Sequence, residues 1–143
     1  MSKPKNLLGQ LQVTDAGISI TALRIIIALI FFNEGSGKLF GWFGHGGLYL
    51  TSTFFREEGF PFPLLLSYLV GTTEFACSLL IFVGFMTRFA SFLLALIMFV
   101  AMMIVHRIIG YYYPLVLYGV FMVLMQYGAG KLSIDYYLSQ TKS

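Results

Sequence analysis

The sequence predicts an all-α integral membrane protein, a four-transmembrane-helix bundle with an interfacial loop or short helix between spans one and two. Of the 143 residues, 58% are hydrophobic and only 10% are charged, against about 25% charged in an average soluble domain. Mean hydropathy is +0.83. Four apolar stretches follow one another along the chain, and a helix needs about 20 apolar residues to cross the hydrocarbon core. These observations exclude an ordinary soluble enzyme and a disordered chain.

Span one is predicted at about residues 18–42, where a run of Ile, Leu and Phe becomes polar at Asn33, Glu34 and Lys38. The following segment, 41–59, is rich in glycine at first, then in aromatic residues, and ends in three charged residues. It is too polar and too broken to cross a membrane. We therefore expect it to form an interfacial loop or a short surface helix.

Span two is predicted at about residues 63–86, with Pro63 near its first turn, where proline is tolerated. Thr87 and Arg88 are expected to form a tight turn before span three at about 89–109.

Gly110 ends span three, and the three tyrosines 111–113 are typical of an aromatic belt at a membrane interface. Span four is short, at about residues 114–129, and the tail from Gly130 is polar. With no repeat and no linker, residues 1–143 are expected to form one domain.

The distribution of basic residues predicts the orientation. An even number of spans places both termini on one side, which then carries more Lys and Arg than the other side, so the positive-inside rule places the termini in the cytoplasm. The cations predicted on that side are Lys3, Lys5, Arg88, Lys131 and Lys142, with Arg24 close to it, and those on the other side are Lys38, Arg56 and Arg107.

The charge and the cysteine content exclude several classes of function. The net charge is +3 and the nine Lys and Arg residues are scattered, so nucleic-acid binding is not expected. Cys77 is the only cysteine, which excludes an intramolecular disulfide, a Cys-x-x-Cys pair and a cysteine-ligated iron–sulfur cluster within one chain. Span one is too long for the apolar part of a signal peptide and is expected to be retained.

Five polar side chains in or near the spans are the candidate site, because a charge inside the bilayer is costly and needs a reason. Glu74, near the middle of span two, and His106 are candidate proton carriers. Glu34, Lys38 and Arg107 are candidate ligand-binding residues. In the predicted topology all five lie between the middle of the membrane and its outer surface, so they can line one outward-facing polar cavity.

Structural interpretations of the same residues remain open. Glu34 and Lys38 are spaced as an ordinary i,i+4 helix pair. Arg107, and Arg24 at the opposite face, can extend to the interface as lysine and arginine do near span ends. Glu74 can be one half of a structural salt bridge, or a protonated and hydrogen-bonded acid.

A metal site is a further alternative for span three. Met98, Met102 and His106 are spaced four apart on one helix face, and thioether and imidazole ligands suit copper. Methionine stripes in apolar helices are usually packing residues, so no metal site is the preferred expectation.

An ordered set of motifs runs over nearly the whole chain. Its residues are Arg24, Gly35, Lys38 to Gly41, Gly59, Pro61 to Pro63, Gly71, Glu74, Gly84, Thr87, Arg88, Ala90, Met98, Ala101, His106, Gly128 to Lys131, Ser133 and Asp135. This set resembles the DoxX family of small four-span membrane proteins. One departure is that family members often carry an acidic residue near the start of the last span, where this chain has tyrosines.

The resemblance implies a multi-pass protein of a bacterial-type inner membrane. Members are associated with thiosulfate:quinone oxidoreductases and with membrane complexes that join sulfur metabolism to oxidative-stress enzymes. The resemblance implies a subunit of, or an accessory to, a quinone-linked oxidoreductase. Such a protein is expected to have no intrinsic cofactor and to be able to bind a quinone. Its expected partners in the bilayer are other membrane subunits or a second copy of the chain. The alternatives are a non-catalytic scaffold or assembly factor, and a small transporter of an anion or lipid-like ligand.

Overall fold

A computed structural model describes residues 16–105, 110–130 and 132–141. Within these ranges the chain is helical and contains no strand. The helices are α1 at Ala16–Phe40, a short 3-10 helix at Trp42–Gly44, α2 at Gly47–Glu57, α3 at Pro63–Val83, α4 at Thr87–Val105, α5 at Tyr112–Tyr127 and α6 at Ile134–Thr141.

The long helices have the length and composition of membrane spans. Segments Gly17–Phe40, Pro63–Val83 and Thr87–Ile104 are long and apolar enough to cross a membrane. Helix α5 is apolar but has only 16 residues, about 24 Å of helix. At most 33% of the apolar window of each long helix is buried inside the protein. The remaining apolar surface requires lipid, so the chain is a membrane protein, and the prediction of an all-α membrane bundle is confirmed.

Helix α3 begins at Pro63, as predicted, with the proline in its first turn. It ends at Val83, before the expected end at residue 86, because Gly84 takes the left-handed conformation at φ 71°, which terminates helices readily.

The turn between the second and third spans lies at Gly84–Met86, so the prediction of a turn at Thr87–Arg88 is wrong. Thr87 is already the first residue of α4. The reason is a distant side chain: the carboxylate of Asp135 accepts hydrogen bonds from the backbone N–H groups of Met86, at 2.9 Å, and Thr87, at 3.0 Å. This carboxylate satisfies donors at the start of α4 that have no partner within the helix.

Helices α1 and α3 pack closely because glycine occupies the contact positions. A Cβ atom on Gly35 would collide with the backbone of Phe75, and one on Gly71 would lie 3.0 Å from Leu39. Small residues allow two membrane helices to approach this closely. The close seam also aligns the polar end of α1 with the middle of α3.

The apolar core lies between α1, α3, α4 and α5. Phe31 of α1 meets Phe121 of α5 edge to face, with 5.0 Å between ring centroids. Ile81, Leu94 and Leu124 are fully buried beside them. Four helices therefore share one core, which holds the polar seam of α1 and α3 in place.

The segment between the first two spans contains the expected short helix, α2. After Phe40 the chain reverses through a glycine-rich turn, with positive φ at Gly41 and Gly47. Helix α2 then packs mainly against α3 and more weakly against α1. Its residues Arg56 and Glu57 are exposed, as expected for a helix with a polar outer end.

Candidate functional site

The seam between α1 and α3 brings three charged side chains together. Glu34 and Lys38 lie one turn apart on α1, and Glu74 lies on the facing side of α3. The Lys38 Nζ atom donates to Glu74 Oε2 at 2.5 Å and lies 3.4 Å from Glu34 Oε2. One ammonium group is thus shared by two carboxylates.

These three side chains differ in their access to solvent. Glu74 has 1% of its side-chain surface exposed, whereas Lys38 and Glu34 have 25% and 33%. A buried carboxylate is costly unless a cation compensates it, and Lys38 supplies that cation. Two carboxylates and one ammonium leave a net charge of −1 when all three are ionised, so the cluster can take up a proton or pair with a second donor.

The cluster lies deep along α3. Glu74 is 11 residues from Pro63, the first residue of the helix, which corresponds to roughly 16 Å, about half of the hydrocarbon thickness. Lys38 lies at the same depth because α1 ends at Phe40. The end of α1 is level with the middle of α3 and does not extend to the outer end of α3. The remaining outer length of α3 is covered by α2.

Tyr113, near the start of α5, is a neighbour of the charged cluster that the sequence did not indicate. It lies within electrostatic range of Glu34, Lys38 and Glu74. The sequence pattern instead assigns this tyrosine to an aromatic belt at the membrane interface. The signal that could have found it is the family's acidic residue near the start of the last span, the region where this chain carries tyrosines.

An aromatic group packs on the other side of the same helices. Phe75 contacts Phe32 and Phe40, with ring centroids 5.3 and 5.7 Å apart, and Phe40 contacts Trp42 at 5.2 Å. Phe32 lies two residues before Glu34, and Phe40 lies two residues after Lys38. On a helix, this spacing places each ring on nearly the opposite face of α1 from the neighbouring charged residue. These rings pack across the seam between α1 and α3.

Of the five predicted site residues, Glu34, Lys38 and Glu74 lie together. His106 and Arg107 lie outside the residues that the structure describes. The sequence predicts that His106 and Arg107 meet Glu74 in one cavity. Within the described ranges, its charged hydrogen-bond partner is Lys38.

The alternative copper set is only partly placed. Met98 is 7% exposed and belongs to the apolar core, Met102 is half-buried, and His106 lies outside the described residues. The described part of the chain contains no group of three or more His, Cys, Asp and Glu side chains that could hold a metal ion.

Comparison with known proteins points to the same family as the sequence motifs. The DoxX family profile matches residues 19–107, a stretch that includes the whole of the Glu34–Lys38–Glu74 cluster.

The chain belongs to the DoxX family.

A DoxX assignment fixes the kind of protein but not its reaction. The chain is also 28% identical over 141 residues to a Haemophilus influenzae protein described only as uncharacterized, and the match covers 88% of this chain and 87% of that protein. No solved structure matches the chain significantly.

The opposite end of this DoxX bundle carries a second polar group around Arg24. We expected Arg24 to extend to the interface, and this is wrong: the residue is only 3% exposed. Its Nη2 atom donates to the carbonyl oxygen of Leu132 at 2.6 Å, and it lies within electrostatic range of Asp135. Arg24 therefore ties the C-terminal segment to α1.

Proposed function

We propose that this DoxX protein is a subunit of, or an accessory to, a quinone-linked oxidoreductase in a bacterial inner membrane, with both termini in the cytoplasm. The Glu34–Lys38–Glu74 cluster would bind the quinone head group. The observation that carries the proposal is Glu74, a carboxylate almost fully buried near mid-membrane and hydrogen-bonded to an ammonium that is itself partly exposed.

Each residue of the cluster has a role in this proposal. An ammonium group has three N–H donors. Lys38 donates one to Glu74 and forms an ion pair with Glu34, so it retains at least one donor for a quinone oxygen. Reduction of a quinone to a quinol takes two electrons and two protons. Glu74 would transfer protons at the oxygen, and the more exposed Glu34 would exchange them with the outer side.

The electrons would come from a partner subunit that oxidises the reduced substrate. Family association with sulfur-oxidising and oxidative-stress complexes supports this division of labour. A DoxX chain would then supply the membrane binding site and the proton path, and the partner would supply electron transfer.

The closed Lys38–Glu74 hydrogen bond also favours a second candidate, a non-catalytic scaffold. In that case the pair would only join α1 to α3, and the outer surface around α2 would recruit the partner. The two functions differ in whether the cluster binds a small molecule.

Quinone binding can be measured with the protein's own fluorescence. Trp42 is the only tryptophan, and it follows Lys38 by four residues. A water-soluble quinone analogue is titrated into the full-length protein in nanodiscs, and Trp42 quenching is followed. We expect saturable quenching, with a Kd at least tenfold higher in Glu74→Gln, which corresponds to about 1.4 kcal/mol.

The matched control is Glu57→Gln, which removes an exposed carboxylate from α2 and should leave the Kd unchanged. Quenching that never saturates, or a Kd that is the same in Glu74→Gln and the wild type, would rule out a quinone site at this cluster and favour the scaffold.

A further inference from the structure

A cavity of about 700 Å³ lies at the end of the bundle opposite the charged cluster. Its floor is formed by the starts of α1 and α4 and by the end of α5. Helix α6 and the residues before it form the roof. The lining residues that matter here are Met86, Arg88, Phe89, Tyr127, Asp135 and Ser139.

Long-range hydrogen bonds hold the roof in place. Asp135 uses its carboxylate for the first N–H groups of α4 and its own backbone N–H for the carbonyl of Gly84 at 2.9 Å. Arg24 holds the carbonyl of Leu132. A Cβ on Gly84 would collide with the Arg24 guanidinium, so the roof, α1 and the end of α3 fit together without spare space. The cavity is therefore a built feature of the fold.

The cavity has an uncompensated positive charge. The carboxylate of Asp135 is engaged by two backbone N–H groups and faces the buried cation of Arg24. Arg88 is exposed and makes no ion pair or hydrogen bond with the described part of the chain. Among the described residues around the cavity, the guanidinium groups of Arg24 and Arg88 stand against the one carboxylate of Asp135, which leaves one positive charge. Arg88 lines the cavity and carries that charge where a ligand can reach it.

Apolar side chains surround this cation. Met86, Phe89 and Tyr127 line the cavity and are 49%, 53% and 60% exposed. They stand at the ends of membrane helices, where the lipid head groups meet the acyl chains. A ligand that fits has an anionic head beside Arg88 and an apolar body along these three side chains.

We propose that this cavity binds an anionic phospholipid, with the phosphate against Arg88 and the glycerol and upper acyl chains against Met86, Phe89 and Tyr127. Ser139, on α6, lines the same cavity. Anionic lipids attract interfacial arginines electrostatically, and here a shaped pocket adds selectivity. The proposal does not depend on the function of the other end of the bundle.

Lipid binding to the delipidated full-length protein in detergent tests this. Native mass spectrometry compares the binding of three added compounds to the protein: phosphatidylglycerol, phosphatidylcholine and inorganic phosphate. We expect phosphatidylglycerol to bind at least fivefold more tightly than phosphatidylcholine, and Arg88→Gln to abolish that preference. Arg56→Gln, which removes an exposed arginine from α2 at the other end, should leave it intact.

A second variant separates pocket binding from loss of charge. Ser139→Phe fills the cavity while keeping Arg88, and it should weaken phosphatidylglycerol binding at least fivefold. Equal binding of the two lipids, an unchanged preference in Arg88→Gln and Ser139→Phe, or Arg88-dependent binding of free phosphate without lipid binding would each overturn the proposal.

Discussion

Glu74 and Lys38 form an unequal pair, because the two side chains have different alternatives when the partner is lost. Glu74 is 1% exposed, and its hydrogen-bonded cation is Lys38. Lys38 is 25% exposed and keeps Glu34 at 3.4 Å. Removing the lysine therefore leaves a buried, unpaired carboxylate, whereas removing the charge of Glu74 leaves a lysine that is still paired.

This asymmetry predicts the outcome of a double-mutant cycle. Lys38→Met should lower the free energy of unfolding by about 3–5 kcal/mol, as expected when a buried pair loses one partner. Glu74→Gln should cost less than about 2 kcal/mol because the amide retains its shape and one acceptor. The double variant should be more stable than Lys38→Met alone, since no unpaired carboxylate remains.

Denaturant unfolding in mixed micelles gives the free energy of unfolding of the wild type, the two single variants and the double variant. The prediction fails if the two single variants lose equal free energies of unfolding and the double variant loses the sum of the two. The two groups would then not interact energetically, despite their contact.

At the scale of the elements, glycines determine how closely α1 and α3 approach. Gly35 faces the backbone of α3, so it has no space for a side chain, whereas Gly119 of α5 has no atom within 4 Å of an added Cβ. Both glycines lie inside helices. They differ only in their surroundings, which makes them a matched pair for substitution.

Gly35→Ala should destabilise the protein by about 1–3 kcal/mol, because the methyl group forces α1 away from α3. It should also weaken the Lys38–Glu74 contact. Gly119→Ala should be neutral or stabilising by up to about 1 kcal/mol, owing to the higher helix propensity of alanine. Thermal melting in detergent compares them, and a Gly35→Ala protein as stable as Gly119→Ala would show that the seam is not close-packed.

At the scale of the whole molecule, the two ends of the bundle have different chemistry. Toward one end lie the Glu34–Lys38–Glu74 cluster and the exposed charged residues Arg56, Glu57 and Glu58 at the end of α2. The other end carries Arg88 and the docked C-terminal helix. The distribution of cations predicts that the Arg88 end faces the cytoplasm.

Cysteine labelling tests this orientation. In a Cys77→Ala background, Glu57→Cys and Ser139→Cys each place one thiol at an exposed position at opposite ends of the bundle. An impermeant maleimide added to intact cells should label Glu57→Cys only, and both variants should react after lysis. Labelling of Ser139→Cys but not Glu57→Cys in intact cells would reverse the orientation.

The fold class, and the positions of the membrane helices to within a few residues, could be predicted from the sequence. These follow from composition, from the lengths of the apolar stretches and from Pro63, all of which act locally. The sequence also identified Glu34, Lys38 and Glu74 as unusual, because a charge within an apolar stretch is costly wherever its partner lies.

Which polar groups meet depends on how the helices pack against one another. Glu74 contacts Lys38 because Gly35 and Gly71 let two helices approach at one register, and a register between distant segments is not encoded in local spacing. The same holds for Asp135, which caps α4 from 48 residues away, and for Arg24, which is buried by a tail 108 residues further along the chain. Local patterns specify each helix, whereas the partners of its polar side chains depend on packing between helices.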